Sequence, residues 1–158
     1  MASPSLAPPG SLPDLPGATL ALGQAWQPFG IKQFGFTFDV PPSFVLTQHS
    51  EQGAAFQGKN DAFLAVWGAR LGKASFRTEI EHRMVEDEKD GWKLTYQRVT
   101  PRWASYSGTK GGQIRYVRAI AICNHRAALF TVNYSRAEKI PYDPVVVRMV
   151  RSLKTEGC

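Results

Sequence analysis

His82 and Glu86 stand four residues apart, a spacing at which two side chains on one helical face can hold a metal ion. No H-E-x-x-H pattern and no third ligand accompany them. They also lie opposite the apolar positions Phe76, Ile80 and Met84, so a solvated helix face is the better reading. His125 follows Cys123 in "CNHRA", which suggests a thiol and its base. A strand residue and the tip of the next turn point apart, however, and no third group is placed to orient the imidazole, so His125 reads as a turn residue. "GTKGG" at 108–112 is basic and glycine-rich, but it lacks the G-x-x-x-x-G-K-[ST] order and leads into a strand. A phosphate cradle needs a helix N-terminus there, so the stretch reads as a hairpin loop. No G-x-S-x-G elbow occurs. No catalytic set, metal set or cofactor motif emerges.

Binding chemistry is better represented. In "QIRYVRAIAIC" Arg115 shares one strand face with Val117, Ala119, Ala121 and Cys123, while Arg118 shares the other with Ile114, Tyr116, Ile120 and Ile122. Whichever face is more buried, one guanidinium sits among apolar neighbours. It then needs a carboxylate or an anion, because an unpaired buried charge costs several kcal/mol. An internal Arg–Asp/Glu pair, or a stem that snorkels to the sheet edge, is the better reading. Arg102, Trp103, Tyr106, Lys110, Arg115 and Tyr116 interleave cations with rings on adjacent strands, a mixture that could stack bases and neutralise phosphates. No RNP-like signature is present, and alternate aromatics on a meander more often form core, so nucleic acid is the disfavoured partner. The candidate ligand-binding residues are Arg102, Trp103, Tyr106, Lys110, Arg115 and Arg118.

Charge supports that emphasis. The chain has 158 residues and a net charge of +6. Residues 1–100 hold nine Lys/Arg against ten Asp/Glu, whereas residues 101–158 hold ten against three. The basic last third attracts anions of any kind. A hydrophobic fraction of 43% is an ordinary globular value, and no apolar run nears the ~18 residues of a membrane span. The Pro/Ser/Ala/Gly-rich start, residues 1–18, reads as a flexible leader before one α+β domain over 19–158. That start lacks the basic and apolar regions of a signal peptide, and its composition suits either the stretch that follows a removed signal or a mere linker. Cys123 and Cys158 belong to no C-x-x-C pair. They could be two free thiols, or could tie the chain end to an inner strand, worth roughly 3–4 kcal/mol for such a loop in an oxidising compartment.

The elements that would position these groups follow from periodicity, with ordered structure expected to begin near Leu20 to Trp26. In "FGFTFDV" the residues Phe34, Phe36, Phe38 and Val40 share a face, so this is the leading strand of the core sheet facing a helix, ended by Pro41 and Pro42. "SFVLT", "AAFQGK" and "FLAVWGAR" continue as strands, with a turn at "KND". From Ser75 to Asp90 the period becomes four: Ser75 caps an amphipathic helix, and Glu79–Arg83 and Arg77–Glu81 are i, i+4 pairs. Its acidic end "EDEKDG" opposes the macrodipole by a few tenths of a kcal/mol and reads as a solvated patch. Four meander strands follow, "WKLTYQRVT", "WASYS", "QIRYVRAIAIC" and "AALFTVNYS". A last helix starts with Asp143 as N-cap, Pro144 at its first position and Tyr142 stapled to Val147. Val146, Met149, Val150 and Leu153 form its inner face, with Arg148, Arg151 and Lys154 outward. The fold class is α+β: an antiparallel sheet with a β-meander, packed by two main helices.

With the opening strand "GFTFDVPPSF", a mid-chain helix, a meander and a capped final helix, the chain resembles the PsbP/Mog-like α/β/α sandwich over about residues 31–154. That group includes extrinsic photosystem proteins, a Ran-binding protein, periplasmic DcrB-like proteins and Eag-type secretion chaperones. The ending "YDPVVVRMVRSL", with Tyr142 to Val146, Arg148, Arg151 and Ser152, also resembles that of small exported bacterial proteins of unassigned function. These motifs are structural, and shared scaffolds do not share activities. The resemblance implies a non-catalytic binding or assembly role, for a protein or a small anionic ligand, in the periplasm or outside the cell. Two alternatives stand beside it: a small hydrolase or transferase using His125 or the basic meander, and a nucleic-acid-binding module. A cytoplasmic location is the alternative to export.

Overall fold

The computed structural model describes residues 25–157. The leader, the expected start of order near Leu20 and Cys158 lie outside the described residues. The strands are β1 (Gln27–Ile31), β2 (Phe36–Val40), β3 (Val45–His49), β4 (Gly53–Gln57), β5 (Phe63–Arg70), β6 (Lys93–Val99), β7 (Trp103–Lys110), β8 (Gln113–Ile122), β9 (Arg126–Ser135) and β10 (Lys154–Thr155). Helix α1 spans Phe76–Lys89 and α2 spans Lys139–Ser152. Seven strands form one antiparallel sheet in the order β3-β4-β5-β9-β8-β7-β6. The architecture is α+β, with a helix on each side of this sheet.

Helix α1 carries the chain from β5 to the far edge, from which the meander returns to pair β9 with β5. Ser75 caps it, its Oγ accepting from the Thr78 amide at 3.1 Å. The stripe Phe76, Ile80 and Met84 is buried against Ala104, Tyr106, Val117, Ala119 and Leu129. The ion pairs Arg83–Glu79 at 3.0 Å and Arg77–Glu81 at 3.9 Å hold its outer surface.

The leading strand required a correction. Phe34, Phe36, Phe38 and Val40 are all buried, but β2 is the centre of a separate three-stranded sheet, β1-β2-β10. Its rings share one apolar cluster with the main sheet, Phe38 on Phe130 at 5.1 Å, and with Val146, Met149 and Leu153 of α2, so the expected helix does pack on this strand. Alternation shows that one face is buried and is silent on which sheet carries the strand. Phe34 belongs to the turn before β2, where Gly35 has φ +71°. Its ring lies on Gly68 of β5, where any Cβ would collide with it.

The last helix also begins elsewhere. Asp143 does not cap it; α2 starts at Lys139, after a 3₁₀ turn at Arg136–Glu138 whose cap is Ser135. Pro141 sits in the first helical turn, where its missing N–H would have had no partner, so helix can form ahead of it. Pro144 then lies inside α2, and Asp143 pairs with Lys139 at 3.0 Å. Tyr142 stacks on Tyr134, centroids 4.4 Å apart, instead of stapling to Val147, which is exposed. Val146, Met149 and Leu153 are buried, as the periodicity predicted. Asp39 of β2 is tied to α2 twice: its amide donates to Ser152 Oγ at 2.9 Å, and its carboxylate meets Arg148 at 3.3 Å.

Candidate functional site

The register of the meander decides which candidate residues share a surface. On β7, Ala104, Tyr106, Gly108 and Lys110 face α1, whereas Trp103, Ser105, Ser107 and Thr109 face the opposite side. The same division separates Arg115 from Arg118 on β8. The six sequence candidates therefore do not form one surface. Arg102 is exposed in the β6–β7 turn, its carbonyl accepting from the Ala121 amide at 2.8 Å.

On the α1 side, Arg115 donates through Nη1 to Asp87 Oδ1 at 2.6 Å and through Nε to Asn133 Oδ1 at 3.0 Å. Its guanidinium also lies over Trp92, 4.3 Å from the ring centroid. Tyr106 donates its hydroxyl to Asp87 Oδ2 at 2.6 Å. Lys110 pairs with Asp90 at 3.6 Å. The acidic end of α1 is thus more than a solvated patch: Asp87 and Asp90 are counterions to the meander. A cleft of about 500 Å³ opens beside this network, bordered by Trp67, Glu79, His82, Arg83 and Glu86. His82 and Glu86 are exposed at its rim. Burial, reinforced by the Asp87 hydrogen bond, pushes the Tyr106 hydroxyl far above its ordinary range, so it cannot serve as a base or nucleophile near neutrality. Both Asp87 oxygens are engaged. This network holds α1 to the sheet.

His125 lies exposed in the β8–β9 turn, where it and Asn124 both have positive φ, 53° and 63°. A second cleft, about 570 Å³ along β3–β5, contains His49 and otherwise amide, hydroxyl and apolar groups. Among the described residues no cluster of three His, Cys, Asp or Glu side chains could hold a metal.

The opposite face is different in kind. Pairing aligns Arg98, Ser105 and Arg118 in one row across β6, β7 and β8, and Tyr96, Ser107 and Tyr116 in the next. Arg118 donates through Nη1 to Ser105 Oγ at 3.0 Å and lies 4.4 Å from the Trp103 centroid. Arg98 stands over the same ring at 5.7 Å. The Nε of Arg118 is buried with no acceptor, and neither Arg98 nor Arg118 has an ion pair among the described residues. Burial lowers the pKa of Arg118, and the groups that oppose this are the hydroxyls of Tyr116 and Tyr96, with no carboxylate among them. Burial raises the Tyr116 pKa, which its hydrogen bond with Ser105 partly offsets.

Sequence reasoning did not find Tyr96, Arg98 or Ser105. Alternation along "KLTYQRV", aligned with β7, was the signal that could have found them. The apolar cluster under the small sheet and α2 reaches Ile114, Tyr116 and Ile120 of β8 and includes no side chain of β6 or β7.

The fold with these features has solved counterparts. The Ran-binding protein Mog1p of Saccharomyces cerevisiae matches with a TM-score of 0.61 at 10% identity, covering 85% of this chain and 97% of that one. Cyanobacterial PsbP (CyanoP) from Synechocystis sp. PCC 6803 matches with a TM-score of 0.63 at 11% identity, covering 84% and 93%. The chain has the PsbP/Mog-like fold. No protein-family model matches the sequence, and no curated protein matches it. At such identities the PsbP/Mog-like likeness concerns the scaffold and carries no partner or activity with it.

Proposed function

We propose that this is a non-catalytic binding domain that meets a protein or a small anionic ligand through the basic meander. The observation that carries this is the contrast between its two arginines. Arg115 is neutralised inside the protein by Asp87 at 2.6 Å, whereas Arg118, partly buried on the face turned away from α1, has no carboxylate. A guanidinium taken partly out of water without a counterion is costly to keep, and an external anion would offset that cost. Mog1p is a Ran-binding protein, and a PsbP/Mog-like scaffold that binds protein is consistent with this reading. The dispersed histidines and saturated Asp87 network give a hydrolase or transferase no comparable support.

An exported location belongs to the same proposal. Cys123 Sγ lies 3.7 Å from the Gly157 carbonyl oxygen, which brings the residue before Cys158 against β8 and supports a Cys123–Cys158 bond. No helix among the described residues is long and apolar enough to cross a membrane. A mass measurement under non-reducing conditions tests the bond: two free thiols remove the physical argument for export. Affinity capture from envelope extract, run beside a broad activity screen, tests the binding role. A captured partner with no turnover supports it, and robust turnover with no partner overturns it.

A further inference from the structure

The side of β6–β8 that faces away from α1 presents Lys93, Tyr96, Arg98, Trp103 and Arg118. Three of the five are cations and none is an acid. We infer that this face docks an acidic segment of a partner protein, whose carboxylates pair with Arg98 and Arg118 across the Trp103 ring. The inference rests on the binding reading above and names the chemistry of the partner.

Geometry favours a carboxylate-bearing peptide over other anions. Both guanidiniums lie over Trp103, their carbons 4.4 and 5.7 Å from its centroid, and neither has a carboxylate among the described residues, so the N–H donors not already used on Ser105 are left to bond a partner's carboxylates. Ser105, 1% exposed, fixes one edge of Arg118 from below and so pre-organises it, at less entropic cost on binding. A small free anion would need donors converging in a recess, yet neither large cleft lies on this face. A single-stranded nucleic acid would need open aromatic platforms, and the principal ring is already covered by two guanidiniums. The burial that lowers the Arg118 pKa adds to the demand for an external counter-charge.

The test uses the full chain and a short fluorescein-labelled peptide of alternating glutamate and glycine, followed by anisotropy. Arg98→Gln, an exposed change that leaves the fold alone, and Arg118→Lys, which keeps the charge but loses the fork, should each weaken binding by about tenfold. The control pair Lys32→Gln and Lys73→Gln removes exposed charge elsewhere and should change affinity by less than about twofold. Equal losses from both sets would mean diffuse attraction only and would overturn the site. So would binding of inorganic phosphate or a short oligonucleotide to this face in place of the peptide. If wild type ignores the peptide while envelope capture still yields a partner, the acidic-segment inference falls and the binding reading stands.

Discussion

Asp87, in the last turn of α1, and Arg115, at the centre of the meander, form a 2.6 Å ion pair whose side chains are 18% and 20% exposed. Removing the acid strands a largely buried guanidinium and the Tyr106 hydroxyl together. Asp87→Ala should cost about 3 kcal/mol, since breaking a buried pair is far worse than never having made one. Asp90→Ala, which loses only the exposed Lys110 pair, should cost less than about 1 kcal/mol. Urea denaturation of the two variants checks the difference, and equal costs would mean that the pair does not hold the helix.

Alkaline titration should separate the tyrosines. Burial, aided by the Asp143 charge, pushes Tyr134 from 10.0 up to about 12, and Tyr106 rises further. In the unfolded chain both ionise near pH 10, so above that pH unfolding releases protons that the native state still holds. Stability is therefore fully present below pH 10 and declines as pH rises through the native values. The Tyr134 share is on the order of 2 kcal/mol. Tyrosinate absorbance followed beside circular dichroism should show late ionisation coinciding with unfolding.

Much of this arrangement was legible in the sequence. Ser75 and the four-residue stripe from Phe76 marked α1, and turn chemistry marked the meander, because both signals are local. That β2 lies in a small sheet of its own was not legible, since Phe36 and Phe38 alternate identically whichever sheet carries them. Asp143–Pro144 has the form of a helix start, but the Ser135-capped turn at Arg136–Glu138 runs into helix from Lys139, with Tyr142 already packed on Tyr134. The opposed faces of Arg115 and Arg118 were readable from alternation. Which of them had an internal acid was not, because Asp87 lies 28 residues away and reaches Arg115 only after α1 docks.

Gly68 should tolerate no side chain. A Cβ there meets the Phe34 ring, so Gly68→Ala should lose about 1–3 kcal/mol by overpacking. Gly112→Ala, with open space around it, should stay within about 0.5 kcal/mol. Thermal melts of the two variants make the comparison.

Ser152 joins the small sheet to α2, accepting from the Asp39 amide and donating to the Met149 carbonyl at 3.0 Å. Ser152→Ala leaves that amide without an acceptor and should cost about 1–2 kcal/mol. Hydrogen exchange at Asp39 should accelerate while exchange in β8 and β9 stays slow.

The central claim is that the face of β6–β8 turned away from α1 receives an acidic partner while the Asp87 network only holds the fold. Chemical-shift mapping of the full chain titrated with the glutamate–glycine peptide tests it directly. Signals of Arg98, Trp103, Ser105 and Arg118 should move together, and those of Tyr106, Arg115 and Asn133 should stay in place. Movement confined to the α1 cleft, or spread evenly over every surface cation, would contradict it.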